Sequence, residues 1–322
     1  MKQNNQYNKS VELIEAMENV LGYAPGFRAI HAGGRFYHGV FKATDIAKTY
    51  SKAIHLQGDE IPVTVRFSKG GTDPDSFFGP TLGMATRFYL PNGVSMNTVM
   101  LNMKLFFANS PEQLLKLLEA GMPLGEGTGP NLEGIKKFAS ENANVGYALN
   151  LVSEREGPVS FANTAFWAHH TFLYRNEDNK VVPARSSWIP VSGVLGRPAA
   201  ELAAESIDVL YIELEERLAR EKIMFDLVLE LAEPNDPIDD PSAPWPADRK
   251  TVVIGRLTIS ERADEKAFTD PIMNHDPTQL TEGIETTDDP VLHARRGVYE
   301  ASVAKRTGGW KGTTGGCPFG HG

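Results

Sequence analysis

The chain has 322 residues, 41% hydrophobic and 23% charged, a composition that fits a soluble globular protein built as one large domain or two smaller ones. Its net charge of −9 excludes a global basic field of the kind that draws nucleic acid or an anionic membrane. A single cysteine, Cys317, excludes an internal disulfide, and there is no run of about 18 apolar residues to span a bilayer.

The first residues, Met1 to Lys9, carry neither the apolar core nor the small-residue cleavage site of a secretory leader, so a cytoplasmic location is expected. Ser10 reads as the cap of a first helix from Val11 to about Leu21, stopped by Gly22. Residues 27–47 mix glycine with aromatics and read as extended chain around a tight turn. Ile61 to Phe67 alternates as a strand. Gly83 to Leu90 and Val94 to Leu101 flank Pro91-Asn92-Gly93, a hairpin signal. Ser110-Pro111 opens a helix ending at Gly121. Ala165 to Tyr174 and Val181 to Pro190 form a second hairpin, and a long helix is expected from about Pro198 to Arg220. Met224 to Leu231 and Thr251 to Ile259 are further strands, separated by a proline-rich crossing. The last helix starts at Asp289-Pro290, a capping residue followed by proline in the first turn.

At least seven strands, mostly hairpin-linked, with helices between and after them, indicate an α+β protein on an antiparallel β-barrel or strongly bent sheet. Residues 1–307 read as a single domain and residues 308–322 as a glycine-rich mobile tail.

On the last helix Arg295, Tyr299 and Arg306 fall at spacings of four and seven, so at roughly 100° per residue they share a face. A cation one turn before a tyrosine favours the anionic form of a phenol, and tyrosinate is one of the few axial ligands that proteins offer to haem iron. Arg and Tyr so spaced are also common on plain surface helices; what gives the pair weight is the rest of the chain. Residues 28–33 read Arg-Ala-Ile-His-Ala-Gly, residues 63–68 read Val-Thr-Val-Arg-Phe-Ser, and residues 276–285 read Asp-Pro-Thr-Gln-Leu-Thr-Glu-Gly-Ile-Glu. Further stretches are Gly83 to Tyr89, Leu105-Phe106-Phe107, His170-Thr171-Phe172 and Trp245-Pro246 before Gly255-Arg256-Leu257. In this order, over about residues 20–307, these segments resemble haem catalases, and most closely the short, catalase-related peroxidases.

The resemblance implies a catalase-like barrel with haem b (iron protoporphyrin IX) buried between the barrel and the C-terminal helix. It makes His31 the distal histidine over the peroxide and Ser68 the hydroxyl that orients its ring. Tyr299 becomes the axial iron ligand, supported by Arg295. Arg28, Arg66 and Arg306 become the cations for the haem propionates, a role suited to a permanently charged planar fork. Phe106 becomes a haem-pocket residue. Other readings remain for two of these: Arg66 as an edge charge, and Arg306 as a cation favoured at any helix C-terminus. Arg296, about 100° round the helix, is expected to be solvated or paired.

The implied activity is reduction of hydrogen peroxide or an organic hydroperoxide with a small organic electron donor, with weak catalase activity and a homo-oligomeric state. Two further readings stay open. One is a catalase-fold enzyme that rearranges lipid or organic hydroperoxides. The other is a haem-binding or storage protein without turnover, against which the base His31 argues. Two departures from the family pattern stand out. Aligning Phe106-Phe107 puts Leu101 where full-size catalases carry a distal asparagine, with Asn102 beside it and facing away unless a bulge shifts the register. His275 replaces the usual phenylalanine and is expected either near the haem or exposed. The chain ends soon after Tyr299, as do the short members, which implies a more open haem. Cys317-Pro318 resembles a haem-regulatory dipeptide in a tail expected to be mobile, and Cys317 with His321 offers too few ligands for structural zinc.

Overall fold

Segments in which every second residue is apolar close into a barrel. The structure, a computed structural model, describes residues 2–71, 81–91, 93–203, 205–206, 208–270 and 272–308. The expected tail from Gly309 on, with Cys317 and His321, lies outside them. In chain order come α1 (Lys2–Leu21), β1 (Gly34–Ala43), β2 (Glu60–Lys69), β3 (Leu82–Tyr89) and β4 (Ser95–Leu101), then three helices, α2 (Pro111–Ala120), α3 (Leu132–Glu141) and α4 (Ala143–Ser153). There follow β5 (Gly157–Pro158), β6 (Phe166–Arg175), β7 (Val181–Pro190), β8 (Gly196–Arg197), α5 (Ala199–Ala203) and α6 (Val209–Leu218). The chain continues with β9 (Ile223–Leu231), β10 (Thr251–Arg262), β11 (Ile284–Thr286) and α7 (Pro290–Arg306).

The sheet order is β11-β6-β4-β3-β2-β1-β10-β9-β7, and β7 pairs back onto β6. Eight antiparallel strands therefore close on themselves, leaving β11 added beside β6. Closure removes the free edges that an open sheet would expose. Val63, Val65 and Phe67 of β2 point inward into a core with Phe41, Phe88, Phe166, Trp188 and Phe225. The rings of Phe67 and Phe161 lie 4.9 Å apart, and those of Phe41 and Phe88 meet edge to face at 5.3 Å. Because side chains alternate along a strand, the intervening Arg66 and Ser68 point out of the barrel wall.

Outside that wall lies α7. Asp289 starts it, its Oδ1 accepting the N–H groups of Val291 and Leu292. Helix α1 lies across α7, with Val11 and Ile14 packed on Ala301. A methyl group on Gly297 would meet Ser10 Oγ at 2.3 Å, so the two helices approach closely there. That contact corrects one expectation: Ser10 lies buried in the middle of α1, facing α7, and does not cap it. Gly22 does end α1, at φ 96.

The helix expected over 198–220 is also broken in two. Ser206 Oγ accepts the N–H of Asp208, and the carbonyl of Asp208 then starts a new helix by accepting from Tyr211 and Ile212. Ser and Asp side chains compete in this way with a continuous helical ladder. Among the described residues no helix is long and apolar enough to cross a membrane.

Candidate active site

Four stretches of chain converge between the barrel wall and α7: residues 28–36, the outer face of β2 and β3, the loop 272–279, and α7 itself. His31 lies in the first, with φ 56. A non-glycine residue in that left-handed region costs on the order of 1 kcal/mol, so something must hold it there. Arg66 does so in part: its Nη2 donates to the carbonyls of His31 at 2.9 Å and Ala32 at 3.1 Å. Gly34 makes room for this, since a Cβ there would fall 2.4 Å from the guanidinium carbon.

The His31 ring meets Ser68 Oγ through Nδ1 at 3.1 Å. Gly83 faces the same two groups; its missing Cβ would lie 2.7 Å from Ser68 Oγ and 3.1 Å from His31 Nδ1. His31 keeps some accessible surface although protein surrounds it, as expected at the bottom of a crevice. Burial, and next the charge of Arg66, lower its pKa to about 4, against a weaker opposing hydrogen bond to the backbone of Lys69. The imidazole is therefore neutral at pH 7 and able to accept a proton.

Leu101 is paired with Gly83 across β3 and β4. Directly opposed residues share a sheet face, so Leu101 lies on the His31 side. Asn102 is turned away: its Oδ1 accepts from Leu82 N at 2.8 Å and from Arg155 Nη1 at 3.0 Å.

A chain of four groups runs from α7 to its N-cap through β6. Arg295 Nη2 donates to Tyr299 Oη at 3.0 Å, and Arg295 Nη1 lies 3.0 Å from His170 Nε2. His170 Nδ1 lies 2.6 Å from Asp289 Oδ2. A guanidinium can only donate. His170 Nε2 is therefore the acceptor, the imidazole is neutral, and its single proton sits on Nδ1, pointing at Asp289. Burial lowers the pKa of His170, more than the Asp289 hydrogen bond raises it, in keeping with that tautomer. Asp289 thus serves two purposes, capping α7 with one oxygen and fixing the histidine behind Arg295 with the other. The register of β6 against β7 shifts between Trp167 and Thr171, the stretch that carries His170, and such irregularities re-aim side chains. Phe106 lies against this pair of histidines, 5.6 Å from the His169 ring and 6.5 Å from that of His170.

Asp289→Ala should therefore cost more than a lost cap. The cap contributes about 1 kcal/mol and an orphaned buried N–H on His170 about 1–3 kcal/mol, for an expected loss of about 2–4 kcal/mol by urea unfolding. Asp288→Ala, on the exposed side of the same turn, should lie within about 0.5 kcal/mol of wild type. Equal effects of the two would refute the double role.

Three arginines border the same space. Arg28 Nη2 donates to the carbonyl of Met273 at 2.7 Å, and Arg306 Nη2 to that of Ile272 at 2.7 Å. Arg28 and Arg66 both lie near the Phe36 ring, at 6.0 and 5.7 Å from its centroid. Among the described residues none of the three is ion-paired with a carboxylate, and Arg66 Nε is buried without a partner. Burial lowers the pKa of all three, to about 10 for Arg66, with mutual repulsion adding to the fall at Arg28. The result is a cluster of three guanidiniums with no carboxylate paired to it directly among the described residues; Glu265 and Asp270 act on it only from a distance. The loop under it is tied down by Arg87, which pairs with Asp270 at 2.6 Å and donates to the Asn274 carbonyl at 2.9 Å.

The structure thus gathers the predicted residues: His31, held by Ser68, feels the charges of Arg66 and Arg295, Arg28 and Arg66 lie within reach of Tyr299 and Arg306, and Phe106 lies against the His170 end of the α7 chain. Arg296 pairs instead with Glu300 at 3.3 Å on the outer side. Sequence reasoning missed the roles of His170, Asp289 and Arg87. Asp289 was legible as a cap, but its second oxygen was not. His275 is only 3% exposed, which removes the expectation of a surface position.

Known proteins resemble the chain in sequence and in fold. The chain is 33% identical to a catalase-related peroxidase of Synechococcus elongatus, over 92% of this chain and 88% of that one. It is also 33% identical to a catalase-related peroxidase of Mycolicibacterium paratuberculosis, over 92% and 94%. Catalase-2 of Bacillus subtilis is 28% identical, with 88% of this chain covering 44% of that longer protein. In fold the chain superposes on a fungal catalase with a TM-score of 0.76 at 19% identity, spanning 88% of this chain and 60% of that one. Catalase A from Saccharomyces cerevisiae gives 0.76 at 18% identity, over 87% and 61%. A family profile described as Catalase matches residues 10–311, and the chain belongs to the catalase family.

Proposed function

We propose that the protein is a haem b peroxidase of the catalase family that reduces hydrogen peroxide or an organic hydroperoxide at the expense of a small organic donor, with weak catalase activity. The observation that carries this reading is the pairing, about one space, of a neutral buried base with a tyrosine backed by Arg295, His170 and Asp289. The fit to haem rests on the donors present. Three guanidiniums without a directly paired acid and the orphaned Arg66 Nε suit a dianionic edge, and Tyr299 suits a ferric ion. Among the described residues no three His, Cys, Asp or Glu side chains form a metal-binding group. A metal on Tyr299 would thus bring its other ligands with it, as a tetrapyrrole does.

Haem held by Tyr299 would supply the redox-active iron at which the peroxide O–O bond is broken. The chain's own residues supply the rest. His31, its Nδ1 engaged by Ser68, takes a proton from one peroxide oxygen at Nε2 and returns it to the other, so that water, or the alcohol of an organic hydroperoxide, can leave. Ser68 and Gly83 set the angle of that ring. Arg295 donates to Tyr299 Oη and so fixes the direction of that oxygen, while His170 and Asp289 hold Arg295 in place. Leu101 puts an apolar group beside His31 and offers no amide to orient a second peroxide, which favours donor oxidation over dismutation.

The rate of peroxide-driven donor oxidation should stay level as the pH falls from 7 to about 5 and drop near pH 4. The sign follows from His31: its base form is present above the lowered pKa and is lost as the pH falls through it. Near-ultraviolet circular dichroism at each pH separates this limb from unfolding, and a limb near 6.5 would contradict the assignment. Leu101→Asn should raise oxygen release from hydrogen peroxide about tenfold relative to donor oxidation. No change in that ratio would remove Leu101 from the argument. Measuring both rates with hydrogen peroxide and with a fatty-acid hydroperoxide tests the proposal as a whole. Hydroperoxide consumption without donor oxidation would instead indicate a rearranging enzyme, and no turnover of either would indicate a haem store.

A further inference from the structure

His275 is the most unusual buried group outside the machinery described so far. It is 3% exposed, and neither of its ring nitrogens has a hydrogen-bond partner. Leaving a buried polar group unpaired costs about 1–3 kcal/mol, and this ring carries two such atoms. A histidine used only to fill space would be a poor choice, since a phenyl ring fills the same volume at no such cost.

Its surroundings indicate what it lacks. The imidazole stacks on Phe36, with centroids 6.0 Å apart and planes 26° from parallel. Phe36 is the ring that Arg28 and Arg66 also border. Burial, and after it the charges of Arg28, Arg66, Arg87 and Arg306, hold the pKa of His275 well below the usual value. The ring is therefore neutral, with one N–H to give. Hydrogen-bonding of the loop to β3 through Arg87 and of Asn97 to the Asp276 carbonyl at 3.1 Å fixes the backbone on either side. Among the described residues, a His275 N–H and the Arg66 Nε–H are the donors buried without a partner in this corner, and both call for an acceptor that the described chain does not provide.

We propose that His275 is a fourth donor to the carboxylate edge of the haem, completing the set formed by Arg28, Arg66 and Arg306. A carboxylate has lone pairs enough to accept from a neutral imidazole and from guanidinium N–H groups together. This rests on the haem reading above. It assigns to His275 a recognition role confined to the carboxylates, with no part in proton transfer to peroxide.

The test uses the full chain as wild type, H275F and H275Q, each loaded with haem or with haem dimethyl ester, in which both carboxylates are masked. The readout is the rate of transfer to excess apomyoglobin, followed by absorbance. Phenylalanine is the residue the family resemblance places here, so H275F is expected to fold, and H275Q retains a neutral donor. Loss of haem should be about tenfold faster from H275F than from wild type, and within about threefold of wild type from H275Q. Loss of the dimethyl ester should be equal from wild type and H275F. Equal haem loss from wild type and H275F would overturn the proposal. So would an H275F effect of the same size with haem and with its ester, because the ring would then act by packing alone. Failure of the underlying haem reading looks different: the wild-type protein would take up no haem.

Discussion

Replacing His31 by alanine is expected to lower the rate of peroxide-driven oxidation by about a thousandfold, with haem content and the ferric spectrum retained. Positioned proton transfer contributes about 10²–10⁴ to such reactions, and a thousandfold is about 4 kcal/mol of barrier. The ring is well placed to act as the base. It is neutral, held by Ser68 at 3.1 Å, and carried on a backbone at φ 56 that Arg66 braces. The same backbone requires a control. Alanine in the left-handed region is strained, whereas asparagine tolerates it. His31→Asn should therefore fold as well as wild type and yet be nearly as slow as His31→Ala. An unchanged rate in either variant would end the assignment of His31 as the base.

Replacing Tyr299 by phenylalanine is expected to have the larger effect. It removes the oxygen that receives Arg295 Nη2 at 3.0 Å and takes from that face of α7 the candidate iron ligand. Arg28, Arg66 and Arg306 would still attract the carboxylate edge. Haem should bind more weakly and with a changed spectrum, and turnover should fall by about a thousandfold or more. Absorbance spectra of the loaded variant, compared with wild type at equal haem content, check this. A normal spectrum and normal haem retention in Tyr299→Phe would show that iron is held elsewhere.

The barrel was largely legible because its strands announce themselves. Ile61 to Phe67 alternates strictly, and the hairpin of β3 and β4 turns at Gly93, whose φ is 81. Helix α7 was legible from Asp289-Pro290. Helices α2 and α3 have no fully buried residue. The first was found through its Ser110-Pro111 start, while α3, which Asn131 caps by accepting the N–H of Gly134, was missed together with α4. The misreading of Ser10 has a plain cause: a small hydroxyl residue before an apolar run also suits a close helix crossing, and here it meets Gly297.

For the site, His31, Ser68 and Tyr299 carried information only as a set in fixed order. Tyr299 stands 268 residues after His31, a separation across which no local pattern operates. His170 and Asp289 were beyond reach for a different reason. Their partnership spans 119 residues and depends on a register shift in β6 that periodicity does not encode. His275 was noticed as a departure, but whether it was buried or exposed depended on the loop that Arg87 secures. Leu101 was placed by the family resemblance at Phe106-Phe107, and alternation then turned Asn102 to the other face; the register is regular at Gly83 and Leu101.

The central claim is that Tyr299 holds the iron of a bound haem as a phenolate. Resonance Raman spectroscopy of the ferric, haem-loaded protein, prepared with ordinary and with ring-deuterated tyrosine, tests it most directly. The account predicts a high-spin spectrum with phenolate ring modes that shift on deuteration and vanish in Tyr299→Phe. A spectrum with no tyrosine-dependent mode, or with the signature of an axial histidine, would contradict it.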